Sequence, residues 1–203
     1  MPAIINHQSK TLRIPAALLI VFAFFSACAG PQPVRTEQRL THKKQPPLIV
    51  AELEQQIHTL INKERKRHGL STLAWDGALA AVARSHSRDM AKNNYFSHFS
   101  QEGHDFSYRY RQAGYQCNVR VDHTIHLGAE NILQNNLYDS VTTVNGDKFY
   151  NWNSQTKIAE TSVEGWMNSK GHRKNILTPH WGKEGIGIVI SPDDKVYITQ
   201  NFC

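Results

Sequence analysis

The chain has 203 residues, of which 40% are hydrophobic and 20% are charged, and this composition excludes a wholly disordered or fibrous protein. Its formal net charge is +6 at pH 7. Most of that charge precedes residue 51, because residues 51–203 hold 17 basic and 16 acidic side chains, a net of +1. A nearly neutral body argues against nucleic acid as a partner, since that would need a concentrated basic surface.

The first 27 residues have the pattern of a secretory signal peptide. Lys10 and Arg13 precede an apolar run from Ile14 to Phe25, and small residues follow it. A basic start, about a dozen apolar residues and a small-residue end are typical of such signals. The run is shorter than the roughly 20 residues that a membrane-spanning helix needs. We therefore expect residues 1–27 to direct export and then to be removed.

The end of the signal resembles a bacterial lipoprotein box, Phe25-Ser26-Ala27-Cys28. In such a box Cys28 becomes the new N-terminus and carries fatty acyl chains such as palmitate, which hold the protein in one leaflet of a membrane. The box usually has Leu where this chain has Phe25, and ordinary cleavage near Ala27 or Ala29 is the alternative. Residues 28–48, with four prolines and scattered basic residues, predict a disordered tether.

Residues 49–203 predict one α+β domain. Apolar residues at helical spacing indicate a first helix from Ile49 that ends before Gly69. Asp76 is a good N-cap for a second helix, and further helices are expected at 106–113 and at 156–169, the last stopping at Gly171. Residues 118–153 have an irregular polar pattern with a short strand at 119–121. Two β-branched runs, 184–191 and 195–202, are joined by a turn and predict a hairpin.

Two cysteines remain once Cys28 is assigned to lipid. Cys117 and Cys203 form an even pair in an exported chain, where disulfides are permitted. A bridge between them would close a long loop and would stabilise the domain mainly by restricting the unfolded chain. Two free thiols are the alternative.

Histidines are dense, and nine of the eleven lie after residue 50. Most have a structural interpretation: His58 and His68 lie on a charged helix and are expected at the surface, and His86 is expected in the core. His123 and His126 are three residues apart and form at best a weak candidate ligand pair. The remaining loop histidines, His104 and His180, have no evident partner in the sequence.

Three segments carry a more specific pattern. His98 ends the run Tyr95-Phe96-Ser97-His98, Glu130 lies in Gly128-Ala129-Glu130-Asn131-Ile132, and His172 lies in a longer run that begins Gly165-Trp166-Met167 and ends Asn175-Ile176-Leu177. Together with Gly185-Ile186-Gly187, these segments resemble the bacterial branch of the CAP superfamily over roughly residues 50–203. That superfamily shares the SCP domain of cysteine-rich secretory proteins, venom antigens and plant pathogenesis-related proteins. The resemblance implies a three-layer α-β-α sandwich.

The resemblance also implies a cleft with two histidines and two glutamates, which in some members holds a divalent metal, often zinc. His98, Glu130 and His172 match three of these positions, whereas Ser169 stands where the second glutamate belongs. Glu164 lies five residues earlier and on a different part of its helix. Three interpretations stay open: a weak zinc or other divalent-metal site with an open position for water, a hydrogen-bonded cluster in which Glu130 orients a histidine, and a hydrolytic centre.

The expected function follows from the predicted export signal and from the family resemblance together. We expect a cell-envelope lipoprotein, anchored on the periplasmic or outer-membrane side, that acts as a binding module for a lipid, wall or protein ligand. The alternative is a metal-dependent hydrolase of peptide or envelope material, with Glu130 as ligand or base. The sequence holds no nucleophile elbow, phosphate loop or zinc-protease motif, so enzymatic activity is the weaker expectation.

Overall fold

The computed structural model describes residues 42–203. The predicted signal peptide, the lipidation site Cys28 and the first part of the predicted tether lie outside these residues. Residues 42–49 contain neither helix nor strand. They run beside a hairpin, where the Trp152 indole N–H donates to the Lys43 carbonyl at 2.8 Å and the His42 ring stacks on Phe149 at 4.5 Å.

The described chain forms five helices and eight strands. The helices are α1 (Val50–Arg67), α2 (Gly77–Asn93), α3 (Phe106–Gln112), α4 (Gln155–Asn168) and α5 (Lys170–Ile176). The strands are β1 (Ala74–Trp75), β2 (Val119–Val121), β3 (Thr124–His126), β4 (Ala129–Asn136), β5 (Tyr138–Val144), β6 (Asp147–Trp152), β7 (Lys183–Ile190) and β8 (Lys195–Phe202).

A four-stranded sheet forms the middle of the domain, in the order β1-β7-β8-β4. The short β1 pairs parallel with β7, and the other neighbours are antiparallel. The predicted hairpin is confirmed as β7 and β8, with Ile188 opposite Ile198. Because β4 is an edge strand, one of its sides borders no other strand of this sheet. The pairs β2–β3 and β5–β6 form separate hairpins.

Helices cover both faces of this sheet and confirm the three-layer α-β-α sandwich. On one face, α1 and α4 enclose the main core around Trp166, which is fully buried with isoleucines of β7 and β8. On the other face lies α2, whose start at Asp76 is confirmed: the carboxylate accepts from the N–H groups of Ala78 and Leu79. Capping satisfies backbone donors that the first turn leaves free.

Two glycines of β7 let α2 approach the sheet closely. A methyl group added at Gly187 would lie 2.0 Å from the backbone nitrogen of Arg84, and one added at Gly185 would lie 2.1 Å from that of Ala80. No side chain fits in such a space, so helix backbone and strand backbone are in direct contact. The Ser87 hydroxyl donates to the Gly187 carbonyl at 2.8 Å and fixes the same contact.

The prediction of an irregular segment over 118–153 was wrong, because most of these residues form strands. The sequence of β4 does not show the usual alternation of apolar and polar residues, because the polar Asn131 is fully buried. Its side chain forms hydrogen bonds inside the protein. The β5–β6 hairpin lies outside the central sheet and remains largely exposed, so it lacks the usual apolar pattern. The predicted stop at Gly171 was also wrong: the chain breaks at Ser169, and Gly171 lies inside α5.

Cys117 and Cys203 form a disulfide, with their Cα atoms 5.5 Å apart. The bond joins the segment before β2 to the residue after β8 across a sequence separation of 86. In the chain-entropy model, closing a loop of this size stabilises the folded state by about 4–5 kcal/mol.

Within residues 42–203, every helix is too short or too polar to cross a bilayer.

The close contact at Gly187 predicts a large effect of one methyl group. Gly187→Ala should lower the free energy of unfolding by about 2 kcal/mol or more, because the backbone of α2 must move away from β7. Urea denaturation followed by circular dichroism measures this change.

Gly171→Ala is the matched control, since nothing lies within 4 Å of an added methyl group in α5. That variant should be as stable as the wild type or more stable by up to about 1 kcal/mol. Equal stability of both variants would show that α2 and β7 are not in close contact.

Candidate functional site

The three residues singled out in the sequence meet at the edge strand β4. Successive side chains of a strand point to opposite faces of the sheet. Glu130 lies on the face of α2, and the next residue, Asn131, lies on the face of α4 and α5. His98 arrives from the loop after α2, and His172 comes from α5 in the opposite layer. The site therefore straddles the edge of the sheet.

Glu130 is the centre of the site and is 5% exposed. Its Oε1 atom accepts a hydrogen bond from His98 Nδ1 at 3.0 Å, and its Oε2 atom accepts one from Arg109 Nη2 at 2.7 Å. His86 Nε2 lies 3.9 Å from Oε1. A buried carboxylate is costly unless it is paired and hydrogen-bonded, and here both oxygens are engaged.

Arg109 also belongs to the site, although the sequence did not predict it. It lies in the short helix α3, and besides Glu130 it donates to the carbonyls of His98 at 3.1 Å and His104 at 3.0 Å. One guanidinium thus joins α3, β4 and the loop that carries His98. No motif marks Arg109, so only the folded structure identifies it as part of the site.

The two candidate ligand rings lie near each other, and the space between them is called the cleft below. The ring centroids of His98 and His172 are 6.3 Å apart, with an angle of 52° between the ring planes. The His98 side chain is 38% exposed. Burial, together with the nearby His98, lowers the pKa of His172 to about 4. His172 is therefore neutral at pH 7, the form in which imidazole binds metals.

Two amide side chains, the buried Asn131 and the half-buried Asn175, hold the α5 side of the site in place. Asn131 Nδ2 donates to the His172 carbonyl at 3.2 Å. Asn175 Nδ2 contacts both Asn131 Oδ1, at 2.9 Å, and the Glu130 carbonyl, at 3.2 Å. The backbone around His172 is thus tied to β4 rather than to its own helix alone.

This polar chain continues behind the site across the sheet. Asn131 Nδ2 also donates to Gln200 Oε1 at 3.0 Å, and Gln200 Nε2 donates to Glu184 Oε2 at 2.5 Å. Glu184 Oε1 then pairs with His58 Nδ1 at 2.5 Å. The expectation of a surface position for His58 was wrong, because this histidine is the half-buried partner of a fully buried carboxylate.

The two imidazoles of the cleft are the donors that could hold a divalent ion. On one tetrahedral zinc ion, two imidazole rings have centroids roughly 5 Å apart. The 6.3 Å between His98 and His172 is longer, so the rings would have to move towards each other to share an ion. Glu130 bonds to the inner nitrogen of His98, the arrangement by which carboxylates orient metal-binding histidines. No group of three or more His, Cys, Asp or Glu side chains suited to a metal occurs within residues 42–203.

The position of the missing second glutamate is also clear. Ser169 forms the break between α4 and α5. Glu164 is exposed and lines a groove of about 310 Å³ between α1 and α4, together with Lys63 and Glu160. Glu164 thus belongs to a different surface, as its spacing in the sequence predicts.

The other histidines are distributed as follows. The core position of His86 is confirmed: it is 1% exposed and donates from Nε2 to the Ser97 carbonyl at 2.9 Å. His68 is exposed at the end of α1. His104 stacks on Tyr108 with ring centroids 3.6 Å apart. The rings of His126 and His180 lie against each other, with centroids 4.2 Å apart. His123 is exposed in the turn before β3.

The sandwich and the cleft at its sheet edge define a domain of the CAP class. The chain belongs to the cysteine-rich secretory protein (CAP) family, whose model matches residues 58–202. It is 34% identical over 149 residues to the "uncharacterized membrane protein YlbC" of Bacillus subtilis, covering 73% of this chain and 34% of that protein.

Solved structures agree with this assignment. An extracellular protein containing an SCP domain from Bacillus anthracis matches with a TM-score of 0.56 and 31% identity, over 77% of this chain and 44% of the other. An outer surface protein of Borrelia burgdorferi shares the fold, with a TM-score of 0.54 and 17% identity, over 76% of this chain and 94% of the other. The chain thus spans about a third of the Bacillus subtilis relative and less than half of the Bacillus anthracis structure.

His86 predicts a dependence of stability on pH. Burial lowers its pKa below the ordinary 6.5, and protonation would place a second N–H at Nδ1, a buried atom without a partner among the described residues. Below pH 6.5 the unfolded chain therefore binds more protons at this residue than the folded chain. The contribution of His86 to stability is present above pH 6.5 and decreases as the pH falls.

His86→Gln keeps a donor for Ser97 but cannot take up a proton. Between about pH 7.5 and about pH 5 this variant should lose less unfolding free energy than the wild type, as measured by urea denaturation. The exposed His68→Gln serves as control and should keep the wild-type dependence. If the unfolding free energies of all three proteins changed equally with pH, His86 would not be the source of the pH dependence.

Proposed function

We propose that this chain is an exported, membrane-anchored binding module whose ligand contacts the cleft between His98 and His172. The observation that carries the proposal is the engagement of Glu130. Both of its oxygens are bonded and its side chain is buried, so the carboxylate acts as a fixed support. The side chains left to meet a ligand are the two imidazoles at the cleft.

The hydrogen bonds to both oxygens of Glu130 also favour binding over hydrolysis. In the hydrolase alternative Glu130 would act as a ligand or as the base that takes a proton from water. That role requires a free oxygen lone pair directed at the water. Arg109 and His98 already bond to one oxygen each, and the residue is only 5% exposed, so a water would have to enter the protein to reach one of the remaining lone pairs.

We infer that His98 and His172 hold a divalent ion such as zinc weakly, with Glu130 orienting His98 from behind. Two protein ligands are fewer than the three of most catalytic zinc sites. When bound, the ion would supply open positions for an oxygen or nitrogen atom of the ligand. We propose that this ligand is a lipid, a cell-wall component or a protein.

Export and anchoring rest on the N-terminal pattern and on the relatives. The basic start, the apolar run and the box ending at Cys28 support an acylated N-terminus. One relative is named a membrane protein and another an extracellular protein, which supports a place in the cell envelope. The proline-bearing segment before the domain would act as the tether.

Zinc calorimetry on the purified protein tests the cleft. The wild type should bind one ion with a Kd below about a millimolar, and the double variant His98→Ala/His172→Ala should bind none. His68→Ala/His123→Ala removes two exposed histidines instead and should bind as the wild type does.

Equal binding by the cleft variant and the wild type would contradict the metal assignment. Absence of binding in the wild type would leave His98, Glu130 and His172 as a hydrogen-bonded cluster. Turnover of peptide or envelope material by the wild type, lost on chelation and in the cleft variant, would replace the binding module by the hydrolase.

The anchor predicts a separate result for Cys28→Ser. The wild type expressed in a bacterial host should incorporate labelled palmitate and sediment with membranes, whereas the variant should carry no label. Ala29→Ser, one residue further on, is the control and should remain labelled. An unlabelled wild type would indicate ordinary signal cleavage in place of lipidation.

A further inference from the structure

A groove lies beside the disulfide of Cys117 and Cys203, and neither His98 nor His172 of the cleft lines it. Its volume is about 310 Å³. Its walls come from α3, from the segment before β2 and from the residue after β3, and they include Arg111, Tyr115, Gln116, Cys117, Asn118 and Leu127. Because Cys117 is bonded covalently to the residue after β8, this wall is fixed before a ligand binds, which lowers the entropic cost of binding.

The groove offers an apolar contact surface. Leu127 is 51% exposed, and Ile125, two residues earlier in β3, is 50% exposed. The Tyr115 hydroxyl donates to Asp76 Oδ2 at 3.0 Å, and this bond holds the ring in the wall of the groove. Exposed aliphatic side chains beside a fixed aromatic ring are typical of surfaces that bind a partner.

Two arginines beside this apolar surface form no ion pair with an acidic side chain within residues 42–203. Arg111 lines the groove, and its Nη1 atom donates to Ser107 Oγ at 3.3 Å. Arg120 is exposed and lies opposite Ile125 in the β2–β3 hairpin. A guanidinium binds a carboxylate through two parallel hydrogen bonds. The groove therefore favours an acidic ligand.

The main chain of β2 has a free outer edge. Among the described strands β2 pairs only with β3, and Val121 lies opposite Thr124 across a two-residue turn. Residues that close such a turn bond to each other, and the alternation along an antiparallel pair then directs the main-chain groups of Arg120 and Asn118 away from β3. In agreement, the N–H and C=O groups of Asn118 form no main-chain hydrogen bond within residues 42–203. An extended peptide can pair with such an edge.

We propose that this groove and the outer edge of β2 bind an extended acidic segment of a partner protein. The main chain of that segment pairs with Asn118 and Arg120. One of its apolar side chains contacts Tyr115 and Leu127, and one of its carboxylates binds Arg111. The free main-chain edge favours a polypeptide over a lipid, because an acyl chain has no N–H donors with which to pair along the strand.

Labelled peptides test the proposal by fluorescence polarisation on the purified protein. The probes are fluorescein-labelled seven-residue peptides that alternate Glu with Leu, Val or Tyr. At least one should bind the wild type with a Kd below about a millimolar, and its counterpart with Gln in place of Glu should bind at least about 10-fold more weakly. Methylating the main-chain nitrogen of every second residue removes half of the donors. One of the two possible patterns should weaken binding at least about 10-fold.

Two variants of exposed residues test the groove itself. Arg111→Gln should weaken binding of the Glu peptide at least about 10-fold and leave binding of the Gln peptide unchanged. Leu127→Ser should weaken binding of both peptides. Arg173→Gln and Val141→Ser are the matched controls, since they change an exposed arginine and an exposed aliphatic residue elsewhere, and both should bind as the wild type does.

The cleft variant His98→Ala/His172→Ala should also keep peptide binding, so that failure here is independent of the zinc proposal. The proposal is overturned if no peptide of the set binds the wild type, or if Arg111→Gln and Leu127→Ser both bind like the wild type. Equal binding of both methylated peptides and their parent would exclude pairing with β2. Dodecyl phosphate that displaced the peptide at equal affinity would assign the groove to amphipathic lipids instead.

Discussion

The site depends on one buried charge. Glu130 lies almost out of contact with water, and the guanidinium of Arg109 is the permanent cation that balances it. The same guanidinium holds the carbonyls of His98 and His104, so α3, the loop after α2 and β4 are fixed by a single residue. Removing one partner of a buried pair typically costs about 3–5 kcal/mol. The position of the His98 ring is therefore set by the same bonds that allow the charge to be buried.

The opposite face of the sheet is organised in the same way. Glu184 is buried beneath α1, and its oxygens are bonded to His58 and Gln200. From Gln200 the chain of hydrogen bonds passes through Asn131 to the carbonyl of His172. Each histidine of the cleft is thus supported from a different layer of the sandwich. The two layers meet at β4 because residues 130 and 131 point to opposite faces.

Local signals in the sequence predict the parts of the fold that depend on neighbouring residues. The Asp76 cap, the long helices and the final hairpin follow from spacing and capping alone, and the resemblance indicates the residues that meet in the cleft. Arg109 and His58 could not be found in this way, since their partners lie 21 and 126 residues away. The strand β4 was missed because its buried Asn131 resembles a polar loop residue until its partners across the sheet are known.

The edge strand that carries Glu130 is covered at two of its backbone carbonyls. Its outward carbonyls at Glu130 and Ile132 already accept hydrogen bonds, from the Asn175 amide at 3.2 Å and from the Trp166 indole at 3.1 Å. An exposed strand edge with free backbone groups recruits extended peptides or other copies of the chain, and covering those groups prevents it. An extended segment that added to the sheet at these residues would have to displace both hydrogen bonds. Side chains of α4 and α5 thus protect this part of the edge against strand addition.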